Sequence, residues 1–229
     1  MNNKKVAIIT GAANGLGYEL VKLFINDGYL VAGVDLDKTN LEAKVKELGD
    51  SFVPFCGNIA DDAFVHYCVE SASKLGDINI LINNGGSPSF KEPNKYEPKD
   101  VRRCMEGLFG MVYFSTEVLK IMEEGKIINI MSSAALRGNA KESVYCATKW
   151  GERGYTESLK AAYPSGKIRI CGVYPGGIDT NFYKDSRDYV NLEKQHSFMS
   201  AKSVAETIYH NLIEIKDLYV DDLVLNRIK

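Results

Sequence analysis

The run from Lys5 to Gly17, KVAIITGAANGLG, constrains the fold more than any other stretch of the chain. Lys5 to Thr10 is short, apolar, rich in β-branched residues and stopped by glycine, the pattern of a strand buried on both faces. Beyond the glycine turn, Leu16, Leu20, Leu23 and Phe24 recur at helical spacing until Asp27-Gly28 ends the helix. Tyr29 to Val34 then supplies a second apolar strand that runs into Asp35. Strand, glycine turn, helix, strand and acid, in that order, make a dinucleotide-binding unit. Glycines let the turn be tight and let the backbone approach a pyrophosphate, to which the helix N-terminus offers N–H groups and a positive dipole end. A carboxylate about twenty residues on can accept hydrogen bonds from the adenosine ribose hydroxyls. The cofactor-binding candidates here are therefore Gly11, Asn14, Gly15, Leu16, Gly17 and Asp35. Asp35 repels a 2′-phosphate and Asn14 offers that phosphate no cation, so NAD is the expected cofactor. Lys38, close by, keeps NADP as the alternative.

The same alternation continues along the chain. Leu41 to Leu48 reads as a charged helix, Ser51 to Phe55 as a strand ending in Cys56-Gly57-Asn58-Ile59, Asp61 to Leu75 as a helix and Ile78 to Ile82 as a buried strand. Asn83-Asn84-Gly85-Gly86 follows, a turn of residues that tolerate positive φ, at a strand end where open α/β sheets bind ligands. The Pro-punctuated segment from Ser87 to Pro98 is an expected loop, Lys99 to Glu124 a long helix, and Lys126 to Met131 a strand delivering Ser132 and Ser133. Ser143 to Tyr163 is a helix, Ile168 to Tyr174 a strand ending in Pro175-Gly176-Gly177-Ile178-Asp179-Thr180. The polar, aromatic stretch 181–200 has no clear period and is the expected substrate loop. Val204, Ile208, Leu212 and Ile215 mark a last helix, and Leu218 to Leu225 a last strand. Seven strands alternating with six helices predict an α/β fold of one domain over residues 1–229, a doubly wound, parallel, seven-stranded, Rossmann-like sheet with helices on both faces.

Composition narrows the function classes. The chain has 229 residues, 45% of them hydrophobic, and a formal net charge of −2. That suits one sizeable core, and neither a basic stripe for nucleic acid nor a polybasic segment for a membrane surface is present. The apolar run after Met1 reaches glycine too soon for a signal-peptide core or a membrane span, so a cytoplasmic protein is expected. Five scattered cysteines (Cys56, Cys68, Cys104, Cys146, Cys171) read as buried thiols, and three dispersed histidines support no metal site.

In the stretch SVYCATKWGERG, Tyr145 and Lys149 stand four positions apart, so on a helix both project from one face. An ammonium beside a phenol favours the phenolate, and the pair is a candidate acid/base. With TGAANGLG for the pattern TGxxxGxG, Asn83 to Gly86 for NNAG, Tyr145 and Lys149 for YxxxK, Ser132 thirteen residues before Tyr145, and Pro175-Gly176 to Thr180 for PG…T, the chain resembles the single-domain short-chain dehydrogenase/reductases over essentially its whole length.

That resemblance implies an NAD(P)-dependent oxidoreductase acting on the CH–OH group of a small or medium alcohol or the matching carbonyl. Tyr145 would exchange a proton with the substrate oxygen while a hydride moves to or from the nicotinamide. Lys149 would lower the phenol's pKa and bond the nicotinamide ribose, and Ser132, in preference to Ser133, would bond the substrate oxygen. Asn84, Gly85 and Gly86 would meet the adenosine ribose side, Asn58 and Ile59 the adenine, and Pro175, Gly176, Ile178 and Thr180 the nicotinamide. Phe90, Tyr96, Tyr174, Phe182, Tyr183 and Phe198 are candidate substrate walls. The family also suggests a homodimer or homotetramer packed through the two long helices. Two positions depart from the pattern: Asn58 replaces the usual aspartate, and Gly107 stands where an asparagine usually holds a relay water. Gly107 motivates an alternative reading, a catalytically weak or idle NAD(H)-binding sensor or interaction protein.

Overall fold

In the computed structural model, which describes residues 4–164, 166–184, 189–215 and 217–228, the strands are β1 (Lys5–Thr10), β2 (Leu30–Asp35), β3 (Phe52–Cys56), β4 (Asp77–Asn83), β5 (Gly125–Ile130), β6 (Ile168–Pro175), the two-residue β7 (Ile178–Asp179) and β8 (Met199–Ser200), and β9 (Asp222–Leu225). The helices are α1 (Gly15–Asn26), α2 (Lys38–Leu48), α3 (Asp62–Ser73), α4 (Pro98–Leu119), α5 (Ser143–Ala162), the single-turn α6 (Leu192–His196) and α7 (Ala201–Tyr209). Among the described residues, seven strands form one sheet in the order β3-β2-β1-β4-β5-β6-β9, every pair parallel. The order reverses between β1 and β4, and a crevice opens beyond the C-terminal ends of the strands at that point. None of the described helices is long and apolar enough to cross a membrane.

Strand side chains alternate between faces. Ala7 and Ile9 join a core with Leu20, Phe24, Val204 and Ile208 on one side of the sheet. Val6 and Ile8 join a second core with Val65, Val69, Phe114 and Val118 on the other. Because both faces are covered, β1 has to be apolar at successive positions rather than at every second one.

Three sequence expectations need correction. The long helix ends at Leu119, not Glu124; Ile121 and Met122 both bond Val118 O, and the chain unwinds there so that buried Met122 can close the second core before β5. The last strand starts at Asp222 rather than Leu218: Leu218 and Tyr219 are exposed, and the Tyr219 hydroxyl donates to Ile170 O, so this segment crosses the sheet edge before pairing with β6. Cys56 is exposed, unlike the other four free thiols, because it ends the edge strand β3; its sulfur lies 3.7 Å from Leu36 O. Within the stretch 181–200, residues 185–188 lie outside the described residues; the rest includes α6 and β8, which pairs with β7.

Candidate active site

The glycine turn is built by contact. Gly11 and Gly15 have φ of +68° and +54°, in the left-handed region that favours glycine. A Cβ on Gly17 would stand 1.9 Å from Gly11 O, so α1 can start against the turn only with glycine there. Asn14 is the N-cap of α1, makes no side-chain cap bond, and no acidic residue follows in the first turn. The positive end of the helix is left facing the crevice. Asp35 closes the turn from below: its Oδ2 accepts from Ala13 N and its Oδ1 from Asp37 N, each at 3.0 Å.

The turn after β4 is clasped to the first. Thr10 Oγ1 accepts from Asn84 N at 2.9 Å and Gly85 N at 2.8 Å, while Asn84 Nδ2 donates to Thr10 O at 3.0 Å. Asn84 thus fixes the spacing of the two turns as well as facing the crevice. Across it, the Thr180 methyl lies 3.0 Å from where a Cβ on Gly15 would stand, which brings the segment after β6 over the glycine turn.

One cleft, of about 640 Å³, collects Gly11, Asn14, Gly15, Leu16, Asp35, Asn84, Gly85, Gly86, Ser132, Tyr145, Lys149, Pro175, Gly176, Ile178 and Thr180, a size usual for small-molecule sites. Gly17, Asn58 and Ile59 do not line it. Asn58 accepts from Ala60 N at 2.9 Å and donates to Glu106 at 3.4 Å, and Ile59 fills the space beside Gly85 and Gly110. Phe90, Phe182, Tyr183 and Phe198 reach the cleft, whereas Tyr174 is buried under the sheet end and Tyr96 is a loop strut whose hydroxyl donates to Ser89 O at 3.0 Å. Among the described residues no group of acids, cysteines and histidines could hold a metal ion.

Tyr145 and Lys149 share one face of α5, with Lys149 Nζ 5.7 Å from the phenol ring centre. Tyr145 is buried, in edge contact with Phe90 at 5.5 Å and Phe182 at 6.1 Å. Burial pushes its phenol well above the ordinary value; a hydrogen bond to Ser132 acts downward and the nearby Glu152, Cys104 and Glu142 act upward. Ser132 ends β5, where its Oγ also accepts from Ala134 N at 3.1 Å. Ser133 lines the same cleft, but of the two serines it is Ser132 that acts on the Tyr145 phenol, favouring the phenolate.

Residues that the motifs do not point to complete the site. Tyr189 packs 4.8 Å from Phe90 and donates to Glu142, three positions before Tyr145. Glu152 is buried and accepts from Lys149 Nζ at 2.7 Å, while Lys149 also donates to Ile130 O at 3.4 Å. An acid three positions after Lys149 on the same helix face was the available signal for Glu152. For Tyr189, in a stretch without periodicity, there was none.

The cradle suits a dinucleotide on geometry alone: a turn with no room for Cβ atoms, an uncapped helix start, and an acid at the end of β2 whose oxygens each retain acceptor capacity. Known proteins point the same way. Residues 5–191 match the family model described as short chain dehydrogenase. The chain is 30% identical over 184 residues to a 3-oxoacyl-[acyl-carrier-protein] reductase of Thermotoga maritima, covering 77% of this chain and 75% of that protein. It is 29% identical over 191 residues to a diacetyl reductase, (S)-acetoin forming, of Staphylococcus aureus, covering 79% and 73%. Its fold is similar to a crystal structure of a 3-ketoacyl-(acyl-carrier-protein) reductase from Brucella melitensis complexed with NADH, with a TM-score of 0.83, 26% identity, and 96% of both chains covered.

Proposed function

The chain belongs to the short-chain dehydrogenase/reductase family, and from that membership we propose that it interconverts a small or medium alcohol and its carbonyl, with Tyr145 as the acid/base. The observation that carries this reading is that Tyr145, Ser132 and Lys149 line one cleft together with the glycine cradle. Gly11, Asn14, Gly15, Leu16 and Asp35 would hold the adenosine and pyrophosphate of the nicotinamide cofactor. Lys149, Pro175, Gly176, Ile178 and Thr180 would hold its nicotinamide end. The bound cofactor supplies a hydride acceptor or donor.

The protein's own groups handle the proton. In reduction Tyr145 Oη gives its proton to the carbonyl oxygen as negative charge gathers there; in oxidation the phenolate takes it back. Ser132 Oγ donates to the same oxygen and steadies its developing charge. Phe90, Phe182, Tyr183 and Tyr189 exclude water from the phenol, which strengthens both bonds. This aromatic wall suits an apolar or flat substrate, in keeping with the carbonyl compounds named for the relatives.

NAD is the favoured cofactor. Asp35 and Asp37 both line the end of the cleft where a 2′-phosphate would sit, and Lys38 is exposed and paired with Glu42 at 3.8 Å. A homodimer or homotetramer packed through α4 and α5 goes with this reading.

The test is direct. NADH should bind, and a carbonyl panel that includes diacetyl and 3-oxoacyl thioesters should be reduced. Tyr145→Phe should abolish turnover, by about a thousandfold or more, and leave NADH affinity nearly unchanged. A wild-type protein that binds NADH and turns over nothing on that panel would overturn the enzymatic reading in favour of an idle binder.

A further inference from the structure

Glu152 is a charged side chain where the fold gives no structural need for one. It sits in the floor of the cleft, 1% exposed, with Oε2 on Lys149 Nζ at 2.7 Å. Its Oε1 lies 3.2 Å from the point where a Cβ on Gly107 would stand. The same point is 3.5 Å from Gly86 Cα and 3.7 Å from Gly85 O. Any side chain at 107 would therefore press on the carboxylate. Gly107 and Glu152 are a matched pair across α4 and α5: the volume an asparagine would take from α4 is filled by an acid from α5.

A purely structural filler would be apolar. Burying a carboxylate carries a desolvation cost that a leucine of similar volume avoids, and an ion pair offsets that cost only in part. What the acid does that a leucine cannot is act on the neighbouring charges. An ammonium near a phenol favours the phenolate, and Lys149 Nζ lies 5.7 Å from the Tyr145 ring centre; an anion held 2.7 Å from that ammonium takes much of its influence away. The groups that meet here are Lys149, Tyr145 and Glu152 from α5 and Cys104 from α4, with Glu142 at the start of α5 and Tyr183 beyond it also facing the phenol. Burial, the larger effect, raises Glu152 above the ordinary carboxylate range, the charge and hydrogen bond of Lys149 pull it part of the way back, and the carboxylate acts to raise the phenol.

We propose that Glu152 is a positioning residue for the reaction: from the space that Gly107 leaves open, its carboxylate fixes the Lys149 ammonium and offsets its charge, so that Tyr145 is kept a proton donor. The inference rests on Tyr145 being the acid/base. Its consequence is a pH at which alcohol oxidation turns on that is higher than Lys149 alone would set, with carbonyl reduction flat through neutral pH.

Glu152→Gln keeps the shape and removes the charge. The first measurement needs no cofactor or substrate. Phenolate absorbance of the free protein is titrated against that of its Tyr145→Phe partner, in the wild-type and the Glu152→Gln backgrounds, and the difference isolates Tyr145. In Glu152→Gln the Tyr145 signal should appear at a pH lower by about one unit or more. The second measurement is the pH profile of NAD-dependent acetoin oxidation, whose rising limb should move down by the same amount. An unmoved Tyr145 titration overturns the inference. Should Glu152→Gln not fold, the double variant Gly107→Asn/Glu152→Leu refills the space without the acid, and it must show the same downward shift or the proposal falls. The two readings fail separately: turnover that survives Tyr145→Phe removes the acid/base assignment, whereas turnover lost in Tyr145→Phe with a titration indifferent to Glu152 removes only the role given to Glu152.

Discussion

Asp35 ties the local backbone to the choice of cofactor. Its two carboxylate oxygens hold Ala13 N and Asp37 N, so the acid shapes the glycine turn while presenting negative charge to whatever lies against the end of β2. Removing it should therefore have two separable effects. Asp35→Ala leaves the amide of the fully buried Ala13 without its acceptor, and stability should fall by about 1–3 kcal/mol in denaturant unfolding. It also removes the anion that a 2′-phosphate would meet, so kcat/KM with NADPH relative to NADH should rise by about tenfold or more. Wild type should prefer NADH, and a clear preference for NADPH would defeat the assignment. A loss of stability with an unchanged cofactor ratio would leave Asp35 a purely structural acid.

The element that carries the cofactor end is the junction of β1 with α1, and its tolerance is set by contact distances. Gly17→Ala forces a methyl to within 1.9 Å of Gly11 O, so the helix must back away from the turn. The expected result is a loss of about 1–3 kcal/mol and at least about tenfold weaker NADH binding, read by fluorescence. Gly28→Ala, at a positive φ that Gly17 does not have but with open space around it, should lower the melting temperature and leave NADH binding unchanged. Such elements were legible in the sequence because their causes are local: β-branched runs, helical spacing of Leu16 and Leu20, glycines at a turn. Tyr145, Lys149 and Ser132 were legible for a related reason, since their spacing is fixed by one helix and one strand end. For Glu152 only its nearness to Lys149 was legible; its place against Gly107 was not, because it depends on α4 presenting a glycine to α5, a contact between residues 107 and 152 that no periodicity encodes. Tyr96 and Tyr174 were misread as cleft walls because aromatic character says nothing about direction. One braces a loop through its hydroxyl and the other points into the core. Asn58 and Ile59 follow a short edge strand, and their packing partners, Glu106, Ala60, Gly85 and Gly110, could not be read from it.

At the scale of the molecule, the two longest helices leave apolar surface uncovered. Phe109 on α4 is 46% exposed and stacks on Tyr113, and Trp150 on α5 is 49% exposed with Arg153 beside it. Large exposed aromatics at matching places on adjacent helices suit a partner face. Sedimentation of the full chain should give a dimer or tetramer, and Phe109→Glu with Trp150→Glu should shift it to monomer while far-ultraviolet circular dichroism stays unchanged. A monomeric wild type, or an association indifferent to both substitutions, would count against α4 and α5 as the interface. A different consequence attaches to the clasp between Thr10 and the turn after β4, which joins residues 74 and 75 positions apart in the chain. As the polypeptide leaves the ribosome, the glycine turn is made early and stays without its counterpart until Asn84 and Gly85 emerge. No hairpin can shorten that wait in a sheet whose strands are all parallel, so assembly depends on crossovers that close slowly. A nascent chain stopped short of Asn84 therefore lacks a finished cradle, and the nucleotide can stabilise the protein only after half the sheet has docked. A cofactor that binds the finished cradle would then stabilise only chains whose turn after β4 is already in place.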